Sequence, residues 1–481
     1  MDARSLALAV LLPGFTGTEL PGWLGERLEE GLGGVCLFGA NVEDAAQVRR
    51  LTDAVHAARP AAVVASDEEG GSVTRLDTHT GSVWPGHATL GALDDVDATR
   101  QVAAALGAQC ASAGLDLVLA PVLDVNSGPD NPVIGVRAFG ATPDLVARHG
   151  AAFVTGLQSA GVAACAKHFP GHGATRTDSH VGLPVLDVDE ATWRARDLPP
   201  FTAAVEAGVR AVMTAHVVVR SLAEEPATLS RVVLDRLRDE VGFTGAIVSD
   251  AVDMQAIAAT VGRGEGAVLA LAAGVNLVCI GNPDFPHGYD DRSAVEEVAG
   301  AIVGALEDGR LDPARLEDAA AKVAGLSGRR TTPSPVDEAL GARVAARALR
   351  VQGDVGLPRD AVVLAPEPEF GFAAGRSDSV LLQALAGRRP SWPVLTVASA
   401  DESARVAAAA VAEGLDVLLV VEGRDPRPEL VEAVLAQAPT AVVVRTGLPQ
   451  AHEPARRSVH TFGTGRATAE ATVDLLLGEA P

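Results

Sequence analysis

Three groups of side chains in this 481-residue chain have types and spacings suited to chemistry. The first is Asp250, in IVSDAVDM, directly behind an apolar run. A carboxylate so placed, with few cations nearby in sequence, can serve as nucleophile or general base. It could instead be a helix N-cap. Asp253, three residues on, has the position of a cap. The second group is Asp178 with His180, in TDSHVGLP. Residues i and i+2 of an extended loop point the same way. The carboxylate can then orient the imidazole and raise its pKa, giving a proton donor near neutral pH. The third group could hold a substrate. Lys167, His168, Arg75 and Arg137 can donate to hydroxyls or to an acid, and Asp67 can accept from a pair of hydroxyls. Asp67 opens DEEGGSVTR, whose Gly-Gly permits close backbone approach. Lys167 and Lys322 are the only lysines in the chain. Where arginine is the habit, a lysine marks a place that wants a compact ammonium. A metal-dependent hydrolase would draw on His168, His172, His180 and Asp250. Such sites want closely paired histidines on an early strand, and the first three strands offer none. No metal and no cofactor is therefore expected.

These residues need a scaffold that brings distant segments together. Eight short apolar runs recur: Leu6–Leu12, Gly34–Phe38, Ala61–Ser66, Leu115–Ala120, Val162–Ala166, Ala211–Thr214, Ala246–Ser249 and Val275–Ile280. Helical spacing fills the stretches between them. Val48, Leu51 and Val55 fall on one face, and Ser230 is placed to cap a helix carrying Val233, Leu234 and Leu237. Eightfold strand–helix alternation predicts an α/β fold of the (β/α)8 TIM-barrel type, with a doubly wound open sheet as the alternative. A barrel puts its chemistry at the C-terminal ends of its strands. Asp67, Asp124, Lys167-His168, His216, Asp250 and Asn282 stand at those ends. The catalytic barrel is expected over 1–327 and a linker with a connecting helix over 328–350. A smaller αβα sandwich domain follows over 351–481, with strands near Ala361–Ala365, Val394–Val397, Val417–Val421 and Ala441–Val444. No independent chemistry is evident in that domain, and Gly463-Thr464-Gly465-Arg466 reads as a plain strand-to-helix turn.

Composition narrows the function classes. The formal net charge of −23 disfavours nucleic acid as a partner, because nucleic acid rewards basic stripes. Cys36, Cys110, Cys165 and Cys279 form no CxxC pair and read as buried free thiols, which suits a reducing compartment. The start, MDARSLALAVLLPGF, carries no clean cleavage site and reads as a first strand. No apolar run is long enough to span a membrane. A cytoplasmic protein without a membrane partner is expected.

KHFPGHGATRTDSHVGLP resembles the signature loop of the bacterial β-N-acetylhexosaminidases of glycoside hydrolase family 3. LFGANVED, DEEGGSVTRL, NPVIGVRAFG, AVMTAHVV and GAIVSDAVDM extend the resemblance over about residues 5–325. It implies a retaining exo-hydrolase acting on terminal β-linked N-acetylglucosamine, in cell-wall fragments such as muropeptides or in chitooligosaccharides. Asp250 matches the nucleophile, and His180 the acid/base held by Asp178. Asp67, Arg75, Arg137, Lys167 and His168 match sugar-contacting positions, and His216 matches a histidine lining the pocket. Family members commonly read EGGRV, and here the arginine is replaced by Ser72. A neutral His180 base would also tolerate inorganic phosphate as acceptor, so a phosphorylase of the same family is the second reading. The β-glucosidases and β-xylosidases of the family resemble this chain less in the DSH loop. An inactive sugar-binding barrel would not be expected to keep a competent residue at every catalytic position.

Overall fold

A computed structural model describes residues 1–128, 131–178, 182–284, 288–327, 337, 339–367, 379–449 and 454–479. The chain divides into two compact units. The first is Met1–Glu69, Val96–Ile134 and Ala138–Val336; the second is Gly70–Asp95, Gly135–Arg137 and Asp337–Pro481. The division thus departs from expected boundaries at 327 and 350. Two excursions from the first 327 residues, and the helix Ala339–Ala348 expected as a connector, belong with the second unit.

The first unit is built on eight parallel strands: β1 Leu11–Pro13, β2 Gly34–Leu37, β3 Val63–Ser66, β4 Leu117–Val118, β5 Ala163–Phe169, β6 Ala211–Thr214, β7 Ala246–Val248 and β8 Val278–Gly281. β2 to β7 pair in chain order, β8 pairs with β1, and a Val248–Leu277 bridge joins the two sheets. β1 packs beside β2, which completes the circuit of a (β/α)8 barrel. The expected first strand begins late. Residues Ala3–Ala9 form a helix capped by Asp2, whose carboxylate accepts from Ser5 N, and the strand follows it. An apolar run of that length suits either element, and the cap decides. Cys36, Val63, Ala65, Leu117, Leu119, Ala163, Cys165, Ala211, Met213, Ala246 and Val248 form one buried cluster. They are alternate residues of successive strands, so the period of two points them into the barrel. Small side chains suffice to fill so narrow an interior. Val323 and Leu326, from the helix Pro313–Ala324 and just beyond it, join the same cluster. The helix Ala45–Ala58 buries Val48, Leu51 and Val55, as the spacing predicts. Ser230 caps the helix Arg231–Asp235, which runs on into a π-helical turn over Arg236–Glu240.

The second unit is a six-stranded sheet with helices on both faces. Its strands are β9 Arg350–Gln352, β10 Ala361–Pro366, β11 Val394–Val397, β12 Asp416–Val421, β13 Val442–Arg445 and β14 Ser458–His460. They lie in the order β9-β14-β13-β12-β10-β11, all parallel except β9. Alternate residues again face opposite ways. Val363, Leu418, Val420, Val442 and Val444 pack against Leu381, Leu385, Val473 and Leu476 on one face. Leu364, Val417, Leu419, Val421 and Val443 pack against Ala407, Ala410, Val431 and Val434 on the other. This is an αβα sandwich. The 70–95 excursion is tied to it by Ala467 N donating to Ser82 O at 3.2 Å and by an Arg347–Asp95 ion pair at 2.7 Å.

Candidate active site

The barrel's period of two continues past its strand ends. Inward-facing Val63 and Ala65 are followed in parity by Asp67 and Glu69, Ala163 and Cys165 by Lys167, and Ala246 and Val248 by Asp250. Alternation therefore turns these polar side chains toward the mouth of the barrel. The Lys167 side chain is only 2% exposed, and its Nζ donates to Asp67 Oδ1 and Glu69 Oε1, both at 2.7 Å. A compact ammonium with three donors can serve two carboxylates at once. Sequence reasoning picks Asp67 alone out of DEEGG; the parity that Glu69 shares with it is the signal for the second carboxylate.

A second buried cluster fixes the loop behind β5. Asp124 is fully buried; its Oδ2 accepts from His168 Nδ1 at 2.7 Å, and its Oδ1 accepts from the His172 backbone N–H at 2.6 Å. Burial pushes the Asp124 pKa up. The charge and hydrogen bonds of His168, with the His172 contacts, outweigh this and hold it below the usual carboxylate range. Because Nδ1 of His168 shares its proton with Asp124, the ring is oriented with Nε2 on the side away from that carboxylate. Asn131 Nδ2 donates to the His172 carbonyl at 2.8 Å, and buried Trp193 donates through Nε1 to the Pro170 carbonyl at 2.9 Å. The loop is thus pinned from two sides at Pro170 and His172, and farther along it the Asp178 carbonyl accepts from Gly182 N at 3.0 Å. His180 lies outside the described residues.

His172 supplies a pH prediction. Burial drives its pKa down from the ordinary 6.5 to about 4. Between those values the unfolded chain holds the proton and the folded chain does not, so stability is full above about pH 6.5 and is lost as pH falls toward 4. The shift is equivalent to up to about 3 kcal/mol. Urea melts of the wild type and His172→Gln between pH 4 and 7 check it. The variant should lose most of the slope, whereas equal slopes would remove His172 as the source.

Asp250 follows β7, and its Oδ1 accepts from the N–H of Ala251 at 2.8 Å. The Ala251 carbonyl in turn accepts from Nε2 of His216 at 2.9 Å. His216 is fully buried, and its Nδ1 lies 2.8 Å from Thr228 Oγ1, which lies 2.8 Å from Thr214 Oγ1. Both ring nitrogens of His216 are therefore engaged within the protein, holding the Ala251–Val252 peptide one residue past Asp250. Asp253 is not the cap its position suggests, because Met254 occupies the N-cap of the helix Gln255–Ala258. Instead the Asp253 carboxyl lies against Gly281, where a Cβ would stand 2.1 Å from Oδ1. Burial pushes the Asp253 pKa up to about 7.

Asp67, Lys167, His168, Asp178, His216 and Asp250 all lie in the first unit, while Arg75 and Arg137 belong to the second. Arg137 ends the 3-10 turn Gly135–Arg137. Arg75 follows a Gly70–Val73 bridge in the 70–95 excursion. Among the described residues no group of three or more His, Cys, Asp or Glu side chains could hold a metal ion.

The N-terminal domain of glycosyl hydrolase family 3 matches residues 26–326. This chain belongs to glycosyl hydrolase family 3. It is a glycoside hydrolase with the family's barrel. It is 35% identical over 334 residues to beta-hexosaminidase A of Pseudoalteromonas piscicida, covering 64% of this chain and 55% of that protein. It is 36% identical over 336 residues to a beta-hexosaminidase of Stenotrophomonas maltophilia, covering 66% and 99% respectively. A solved family 3 beta-N-acetylglucosaminidase from Paenibacillus sp. str. FPU-7 superposes with a TM-score of 0.85 at 28% identity, over 100% of this chain and 97% of that one. The chain thus spans just over half of the first relative's length and nearly all of the other two.

Proposed function

We propose that the chain is a retaining exo-β-N-acetylglucosaminidase that removes terminal β-linked N-acetylglucosamine from cell-wall fragments or chitooligosaccharides. The observation that carries this reading is the row of inward-facing Asp67, Lys167 and Asp250 at the strand ends of a family 3 barrel. Relatives named beta-hexosaminidase and a beta-N-acetylglucosaminidase of matching length support the choice of sugar. Asp250 attacks the anomeric carbon as nucleophile, while His180, held by Asp178, gives its proton to the departing glycosidic oxygen. The C1–O bond to the aglycone breaks and a C1–O bond to Asp250 forms. Neutral His180 then takes a proton from the incoming water, which displaces Asp250 and restores the starting state. An imidazole in this role departs from the usual pair of carboxylates. Asp67, Lys167 and His168 bind sugar hydroxyls. His216 serves as a positioning residue, because its contacts fix the peptide one residue past Asp250.

Four buried free cysteines fit a reducing, cytoplasmic setting. Among the described residues no helix is long and apolar enough to cross a membrane.

The test is turnover of 4-nitrophenyl N-acetyl-β-D-glucosaminide with and without phosphate, with the sugar product identified by NMR. The reading predicts free N-acetylglucosamine in both buffers, released first as the β-anomer. First release as the α-anomer would contradict retention. A sugar 1-phosphate, formed at a rate that climbs with phosphate, would contradict hydrolysis.

A further inference from the structure

At the end of the barrel opposite Asp250, the segments entering β7 and β8 border a cavity of about 440 Å³. Arg231, Arg238, Arg315 and Lys322 line it, with only Asp235 and Asp318 to balance them. The chain as a whole has the reverse ratio, 39 basic to 62 acidic residues. Thr244 in its wall precedes Asp250 by six residues of nearly extended chain, roughly 20 Å at about 3.3 Å each.

The guanidinium groups are held in place mainly by neutral acceptors. Arg238 Nη1 donates to the Phe243 and Gly245 carbonyls, each at 2.8 Å, and Nη2 donates to Asn276 Oδ1 at 2.9 Å. Its guanidinium lies 5.2 Å from the centre of the Phe243 ring. Arg315 Nη2 donates to the Val275 carbonyl at 2.6 Å, and Arg231 donates to the Ala272 carbonyl. Arg315 Nη1 has no hydrogen-bond acceptor among the described residues; its nearest carboxylate, Asp318, stands at 3.8 Å. Lys322 Nζ reaches the Asp318 carboxylate at 2.5 and 2.7 Å. Carbonyls orient a guanidinium without cancelling its charge. Burial, with repulsion from Arg315, lowers the Arg238 pKa, and burial lowers that of Arg315, so both cations gain from a nearby anion. Guanidinium forks beside an ammonium are the donor set that phosphoryl oxygens match best. The volume falls within the roughly 300–1,000 Å³ of small-molecule sites.

We propose that this cavity binds a phosphate-bearing small molecule, with Arg231, Arg315 and Lys322 meeting the phosphoryl oxygens and Phe243 lining the space beside them. The site stands apart from the glycosidase chemistry and does not depend on it.

Calorimetric titration of the full chain with inorganic phosphate and with pyrophosphate tests this, with chloride at matched ionic strength as the control. The proposal predicts saturable binding of one ion per chain. Lys322→Gln and Arg231→Gln should each weaken it roughly tenfold while leaving nitrophenyl glycoside turnover unchanged. Lys322 Nζ bonds to Asp318 on its own helix, so that variant is expected to fold. No saturation above the chloride background would overturn the proposal, as would affinity unchanged in both variants. Binding that survives both variants but is displaced by N-acetylglucosamine would place phosphate at the strand C-terminal ends and would equally overturn it.

Discussion

Asp250→Ala lowers kcat on N-acetylglucosaminides by roughly 10⁴-fold or more, because the covalent path is lost with the nucleophile. That loss corresponds to about 5 kcal/mol of transition-state stabilisation. Folding survives, since Asp250 is part-exposed and the buried Val248 and Ser249 that anchor the strand end remain. The His216 contact to the Ala251 carbonyl also remains, so the loop keeps its course. The cavity left by the carboxylate admits a small anion. Azide should therefore restore part of the turnover and yield the α-glycosyl azide, the configuration expected when an external nucleophile attacks from the Asp250 side. A loss of only about tenfold, or a β-configured azide, would assign the nucleophile elsewhere.

Lys167→Met has the second large effect. The ammonium lies between Asp67 and Glu69 at 2.7 Å from each, and both it and Glu69 are almost wholly buried. Removing the cation leaves two carboxylates facing one another in a poorly solvated site. Breaking a buried pair in this way costs about 3–5 kcal/mol. Glu69→Gln added to Lys167→Met removes one of the two like charges and should recover part of the lost stability. Lys167→Arg should fail to restore kcat/KM, because a planar fork replaces a compact ammonium between two acceptors. Urea denaturation of the three variants checks the first two statements, and substrate kinetics check the third. A Lys167→Met protein as stable as the wild type would show that solvent reaches these carboxylates freely.

The barrel was legible because its strands are buried on both faces and read as apolar runs. Seven of the eight fall where the runs put them. The first does not, since Leu6–Ala9 suits a buried helix equally well and Asp2 supplies the cap. Lys167 was legible through rarity, and Asp250 through its place behind a strand. Asp124 stood at a strand end in the sequence, but its grip on both His168 and His172 spans 44 and 48 residues and has no local signal. The same holds for Thr228 beneath His216. In the sandwich, β9 and β14 were missed because Arg-Val-Gln and Ser-Val-His carry only one apolar residue each. The assignment of Gly70–Asp95 to the second unit was also hidden. Its ties, such as Ser82 to Ala467, join residues hundreds of positions apart.

The central claim is that Asp250 becomes covalently glycosylated. The direct measurement is intact mass and peptide mapping after reaction with a fluorinated N-acetylglucosaminyl fluoride that forms the intermediate faster than it releases it. The account predicts a mass gain of one glycosyl group per chain, located on the peptide that holds Asp250 and absent from Asp250→Ala. An active enzyme that gains no mass, or carries the sugar on another residue, would contradict it.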